Sequence, residues 1–152
     1  MEADLRLVCF ELRSQEFALP ISSVRETLAM QPVTRVFLTP GCVAGVFSLR
    51  GEIVPALDLA PLMGMSTTTI GDESRIVVLK HDLGVVGIIV DRLLEQRRIN
   101  DMQPPPTNLS ASVATLLLGM ATVDDKTIRI LDANAILDAE SLRALRVADA
   151  TS

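Results

Sequence analysis

The stretch Gly45 to Asp58, GVFSLRGEIVPALD, returns 74 residues later as Gly119 to Asp132, GMATVDDKTIRILD, and this duplication limits the available folds more than any other feature. In each copy apolar side chains alternate into a two-residue turn, Arg50-Gly51 or Asp124-Asp125, and out again to a closing Leu-Asp pair. Period-two patterning about so short a turn predicts a β-hairpin. The residues before the hairpins also correspond. An ungapped offset of 69 sets Val8 on Val77, Phe17 on Val86, Leu19 on Ile88, Ile21 on Val90, Val24 on Leu93 and Glu26 on Glu95. The two offsets differ by five residues, an insertion best placed around Pro104-Pro105-Pro106. The chain therefore reads as two related halves of one β-rich module.

At 152 residues there is material for one good core or two small coupled ones. We expect a single domain over 1–152 with halves at roughly 5–64 and 74–138, strand exchange between them left open, and a C-terminal helix and tail over 139–152. A mean hydropathy of +0.38 with only 22% charged residues implies that some apolar surface stays uncovered. The net charge of −5 lacks the basic footprint of a nucleic-acid binder, and without Trp or Tyr there is little on which bases could stack. No apolar run reaches the roughly 18 residues of a membrane span, and MEADLRLV does not resemble a signal peptide, so a cytoplasmic location without membrane insertion is expected. Cys9 and Cys42 fit neither a disulfide framework nor a metal motif and are expected to be buried thiols.

Local signals fill in the rest. Leu5 to Leu12 and Phe17-Ala18-Leu19 read as strands about a polar turn at Arg13 to Glu16. Ser23-Val24-Arg25-Glu26 has the S-x-x-E spacing of a capping box and predicts a helical turn. Asp58 is placed to cap a turn over Leu59 to Met63 that Gly64 would end, and Ser66 to Glu73 reads as a mobile loop between the halves. Strands are expected at Arg75 to Lys80 and Val85 to Val90, with a close neighbour at Gly87 and a turn at His81 to Gly84. Arg92 to Ile99 fits strand or helix, the three prolines demand a strap or edge, and Asp132 and Asp138 are predicted helix caps. Many short strands and few long helices argue for small barrels.

The search for chemistry is nearly empty. The one histidine, His81, sits in a predicted turn, and no phosphate-cradling, elbow-serine or dinucleotide motif occurs. Asp58, Asp124, Asp125 and Asp132 are explained by turns and caps, so catalytic residues, metal ligands and cofactors are all expected to be none. Arg50 is the exception, because a primed hairpin turn favours Asn or Asp and arginine gains nothing from that geometry. Two readings stand: a solvated surface arginine, or a guanidinium paired with a carboxylate or partner, for which Glu26 is the candidate if the capping box does not claim it.

The segments Phe17-Ala18-Leu19-Pro20-Ile21, Val24-Arg25-Glu26, Gly45 to Pro55, Leu57-Asp58-Leu59, Val86 to Asp91 and Pro104-Pro105-Pro106 together resemble the CheW family of chemotaxis coupling proteins, over roughly residues 5 to 140. The resemblance implies a mainly β fold of two intertwined five-stranded SH3-like barrels with short helices and an apolar groove between them. It implies a non-enzymatic scaffold adaptor with two partners, the cytoplasmic hairpin tip of chemoreceptors and the regulatory domain of a CheA-type histidine kinase, placed in the cytoplasm at membrane receptor arrays. The positions matching Val24, Glu26, Gly45 and Arg50 would lie at the receptor-facing groove, glutamate and arginine pairing with each other. Kinase contacts would use the barrel ends, with no residue assigned. Ser48 stands where the family often has asparagine. Outputs other than flagellar motility, such as type IV pili, self-association and a small-ligand sensor with a pocket between the halves stay open, while a small hydrolase or transferase is disfavoured by the missing motifs.

Overall fold

The computed structural model describes residues 4–35, 42–81, 84–107, 109 and 111–138. The first half supplies β1 (Leu5–Leu12), β2 (Gln15–Pro20), β3 (Val24–Ala29), β4 (Val43–Leu49) and β5 (Glu52–Leu57). The second supplies β6 (Arg75–His81), β7 (Gly84–Val90), β8 (Arg92–Leu93), β9 (Arg97–Ile99), β10 (Leu117–Val123) and β11 (Lys126–Leu131), with short helices α1 (Ala111–Ala114) and α2 (Ala133–Leu137). Both predicted hairpins form, and their turns take the left-handed conformation of primed turns, with φ of 49° and 86° at Arg50 and Gly51 and 52° and 63° at Asp124 and Asp125.

Neither half keeps its strands to itself. One sheet runs β10-β11-β2-β1-β8, with β9 also on β1, and the other runs β3-β6-β7-β5-β4. Thus β1 and β2 complete a sheet built mostly from the second half, while β6 and β7 complete one built from the first. The pairing is duplicated to the residue. Val8 faces Leu19 as Val77 faces Ile88, and the parallel contact of Ala18 with Ile130 is repeated by Gly87 with Ala56. Outside the strands, Thr34 bridges Val46 and Gln103 bridges Met120, again at the two repeat offsets. The insertion therefore falls between Gln103 and Met120, where the three prolines run outside any strand.

Period-two alternation explains why β1 and β6 are apolar throughout. Leu7 and Cys9 of β1 face the core of one barrel, whereas Val8, Phe10 and Leu12 face a central core shared by both sheets. In β6, Ile76 and Val78 fill the other barrel while Val77 and Leu79 join the same central core. Strands buried on both faces read as continuous hydrophobic runs. Phe10 stacks on Phe17 across the β1–β2 pair, ring centroids 6.5 Å apart, and a side chain at Gly87 would collide with Phe47 and Ile76.

The two barrels close one end differently. In the barrel of β3 to β7, Leu28 and Val85 pack on Val78. At the repeat-related positions the other barrel has Arg97, Glu16 and Cys9: the Arg97 guanidinium bonds the Glu16 carboxylate at 3.0 Å, and Glu16 also bonds the Cys9 thiol. Burial is the main cause that pushes the thiol up to about 11. Cys9 and Cys42 are both buried and free of disulfides.

Several local expectations are corrected. Ser23 to Glu26 forms no capping box: a 3-10 turn at Ile21–Ser23 passes straight into β3, because strand pairing with β6 outweighs the local capping pattern. Arg92 to Ile99 is strand, interrupted at 94–96. Asp58 does more than start a turn. It is buried, accepts from the Ala60 amide at 3.1 Å, and reaches across to the Thr68 amide at 2.7 Å and hydroxyl at 2.9 Å. The segment read as a mobile loop is thereby fastened at Thr68. Asp132 caps α2 as predicted, through the Ala135 amide, and Gly64 ends the Pro61–Met63 turn at φ 77°. The predicted turn at His81 to Gly84 lies partly, and the helix after Asp138 wholly, outside the described residues.

Candidate functional site

The two strands that end the path of the second sheet, β3 and β4, carry or lead into the two residues singled out from sequence. Glu26 lies on β3 beside a bulge between Val24 and Glu26, which interrupts the alternation after buried Val24. Arg50 is the first residue of the β4–β5 turn. Its guanidinium donates from Nη1 to Glu26 Oε2 at 2.8 Å and from Nη2 to Oε1 at 2.6 Å, a two-pronged pair that ties opposite margins of one sheet together. The planar fork matches the carboxylate as no lysine could. Hydrogen bonding from Arg50 holds the Glu26 carboxyl below the usual carboxylate range, and the same bond raises the Arg50 guanidinium. Of the two readings open for Arg50, the structure realises the paired one.

The pair is not sealed away, since 62% of the Arg50 side chain remains exposed. Arg25 Nε stands 3.7 Å from Glu26 Oε2, and Ile53, 69% exposed, follows the turn opposite exposed Ser48. Sequence reasoning missed Ile53, because the adjacent Ile53-Val54 leaves it ambiguous which of the two points inward. The surface thus offers a fixed charge pair beside an apolar side chain, which is a means of recognising a protein rather than of transforming a substrate.

The other two predicted residues serve the site from beneath. Val24 is buried in the central core, so its side chain is packing and not a contact surface. Gly45 is explained by close approach: the chain at Val33-Thr34 crosses β4 here, with paired Thr34 and Val46 hydrogen bonds of 2.8 Å, and any Cβ would be driven into the Thr34 carbonyl. Gly119 meets the Gln103 carbonyl in the same way. Repeated glycines therefore reflect repeated straps.

The space between the sheets is occupied by the shared core, so the four residues do not line an apolar groove there; Glu26 and Arg50 lie at a barrel margin. Among the described residues no group of His, Cys, Asp and Glu is arranged to hold a metal ion, and no helix is long and apolar enough to cross a membrane.

A family model for the CheW-like domain matches residues 6–141. The chain is 33% identical over 138 residues to the chemotaxis protein CheW of Helicobacter pylori, covering 90% of this chain and 83% of that one. It is 30% identical over 140 residues to the protein FrzA of Myxococcus xanthus, covering 90% and 88%. In structure it is similar to the scaffolding protein TtCheW of Thermoanaerobacter tengcongensis, with a TM-score of 0.81, 26% identity, and coverage of 93% and 92%.

Proposed function

Because this chain belongs to the family of CheW-like domains, we propose that it joins a chemoreceptor's cytoplasmic hairpin tip to the regulatory domain of a CheA-type histidine kinase, using the Arg50–Glu26 margin as its receptor-facing surface. The coarser statement is firm: the protein is a non-enzymatic scaffold adaptor of chemotaxis signalling, with two SH3-like barrels. The exposed two-pronged pair carries the finer reading. Holding each other, Arg50 and Glu26 present a rigid donor and acceptor array whose ordering cost is met before a partner arrives. Ile53 adds apolar area within the same hairpin. The adaptor would act by favouring one receptor and kinase arrangement over another, so that signal passes as a shift in population. Residues 1–152 would work as one domain at cytoplasmic receptor arrays, since each barrel borrows strands from the other half.

The test is reconstitution of receptor fragments and kinase with the wild-type chain, with Arg50→Glu, and with the exchange Arg50→Glu plus Glu26→Arg. Circular dichroism should be unchanged throughout, since Arg50 sits at a turn. Loss of receptor control of the kinase in Arg50→Glu supports the assignment, and unchanged control refutes it. The exchange separates pairing from identity: recovery would show that the pair's geometry is what the receptor needs.

A further inference from the structure

The duplication that relates the barrels also exposes a vacancy. Glu95 is the repeat counterpart of Glu26, and Asp124 that of Arg50. Where one barrel supplies its glutamate with an arginine from its own hairpin, the other supplies an aspartate. Glu95 consequently has no ion-pair partner among the described residues, and it is exposed. It lines a cavity of about 430 Å³ on that barrel.

The charges around this cavity are unbalanced. Arg92 is held by Glu11 at 2.9 Å, with Glu73 at 3.8 Å. Arg97 is held by Glu16 at 3.0 Å, with Asp124 at 3.8 Å. Both arginines are therefore already served by two carboxylates each. Lys126 is the one further cation on the lining, and it too has no ion pair among the described residues. Five carboxylates stand against three cations, leaving an excess of negative charge at a concave site with one glutamate unsatisfied.

We propose that this cavity is a second protein-docking site, and that Glu95 there accepts an arginine or lysine from a partner of the adaptor, in the place that Arg50 fills from within on the other barrel. The chain carries its own template for the contact, a glutamate on the corresponding strand gripping a guanidinium through both oxygens. The site is separate from the Arg50 margin, so two partners could be held at once. This inference rests on the adaptor reading above.

The experiment uses the full chain with the receptor fragment and kinase, measuring assembly by titration calorimetry at low and moderate salt. Glu95→Lys should weaken assembly by about tenfold at low salt and flatten its salt dependence, as loss of an interfacial charge contact does. Glu95→Asp should recover most of it, and circular dichroism should be the same for all variants. Lys126→Met should leave assembly equal or tighter, because an internal competitor for Glu95 is gone. If Lys126→Met weakens assembly as much as Glu95→Gln does, Lys126 is the natural partner of Glu95 and the proposal is overturned. Wild-type assembly that is indifferent to Glu95→Lys also overturns it while leaving the adaptor reading intact. A wild-type chain that binds neither partner removes both.

Discussion

Exchanging the charged end of one barrel for the apolar end of the other should separate the cost of breaking an ion pair from the cost of having one. Arg97→Leu alone removes the guanidinium and leaves Glu16, its side chain 10% exposed, beside the Cys9 thiol without its cation. Exposed pairs are worth less than about 1 kcal/mol and broken buried pairs cost about 3–5 kcal/mol. Arg97 retains 23% exposure, so we expect an intermediate loss of about 2 kcal/mol, by interpolation between those cases. For a chain of this length that lowers Tm by about 4–8 °C. The triple variant Cys9→Val, Glu16→Val, Arg97→Leu installs residues of the kind found at the equivalent positions, Val78, Val85 and Leu28. It should be at least as stable as wild type, because well-packed apolar replacements of buried ion pairs are neutral or stabilising. Urea unfolding followed by circular dichroism measures both. A triple variant less stable than Arg97→Leu alone would refute the equivalence of the two barrel ends.

Three further outcomes are expected. Gly45→Ala should cost about 2–3 kcal/mol, since its Cβ meets backbone, and more than Gly119→Ala, where part of the obstruction is the Met102 side chain and φ is not positive; paired thermal melts decide. Asp58→Ala should cost about 2 kcal/mol by leaving the Thr68 amide unpaired, and should speed hydrogen exchange at that amide while leaving the β6–β7 amides protected. The Cys9 thiol, raised from an ordinary 9.0 to about 11, favours the folded state fully below pH 9, and that contribution disappears as pH rises through 11; Cys9→Val should flatten the stability profile in this window. Glu26 acts in the opposite direction: its lowered value contributes stability above the usual carboxylate range that is lost on acidification, and Arg50→Ala should abolish that acid sensitivity.

What could be read from the chain depended on the range of the interaction. The primed turns at Arg50-Gly51 and Asp124-Asp125, the Asp132 cap and the position of the five-residue insertion were all legible, since each is written in neighbouring residues or in the repeat itself. Ser23 to Glu26 misled because a capping box is a local pattern and β6 lies some fifty residues downstream. Asp58 looked like Asp132 because their neighbours match; only folding brings Thr68 to one of them. The exchange of strands could not be chosen from sequence, since β6 and β7 repeat β1 and β2 and either half offers the same pattern of partners. Arg50 pairing with Glu26 was one of two open readings, and the choice between them required knowing that β3 is a strand.

The exchange of strands also governs how such a molecule must be made. A nascent chain that has emerged only as far as β5 owns four barrel margins' worth of unsatisfied backbone and no way to close either sheet, because β2 waits for β11 and β5 waits for β7. Maturation on the ribosome is therefore postponed until the last hairpin clears the exit, and a premature stop or a single proteolytic nick near β10 would disable both halves together instead of sparing one.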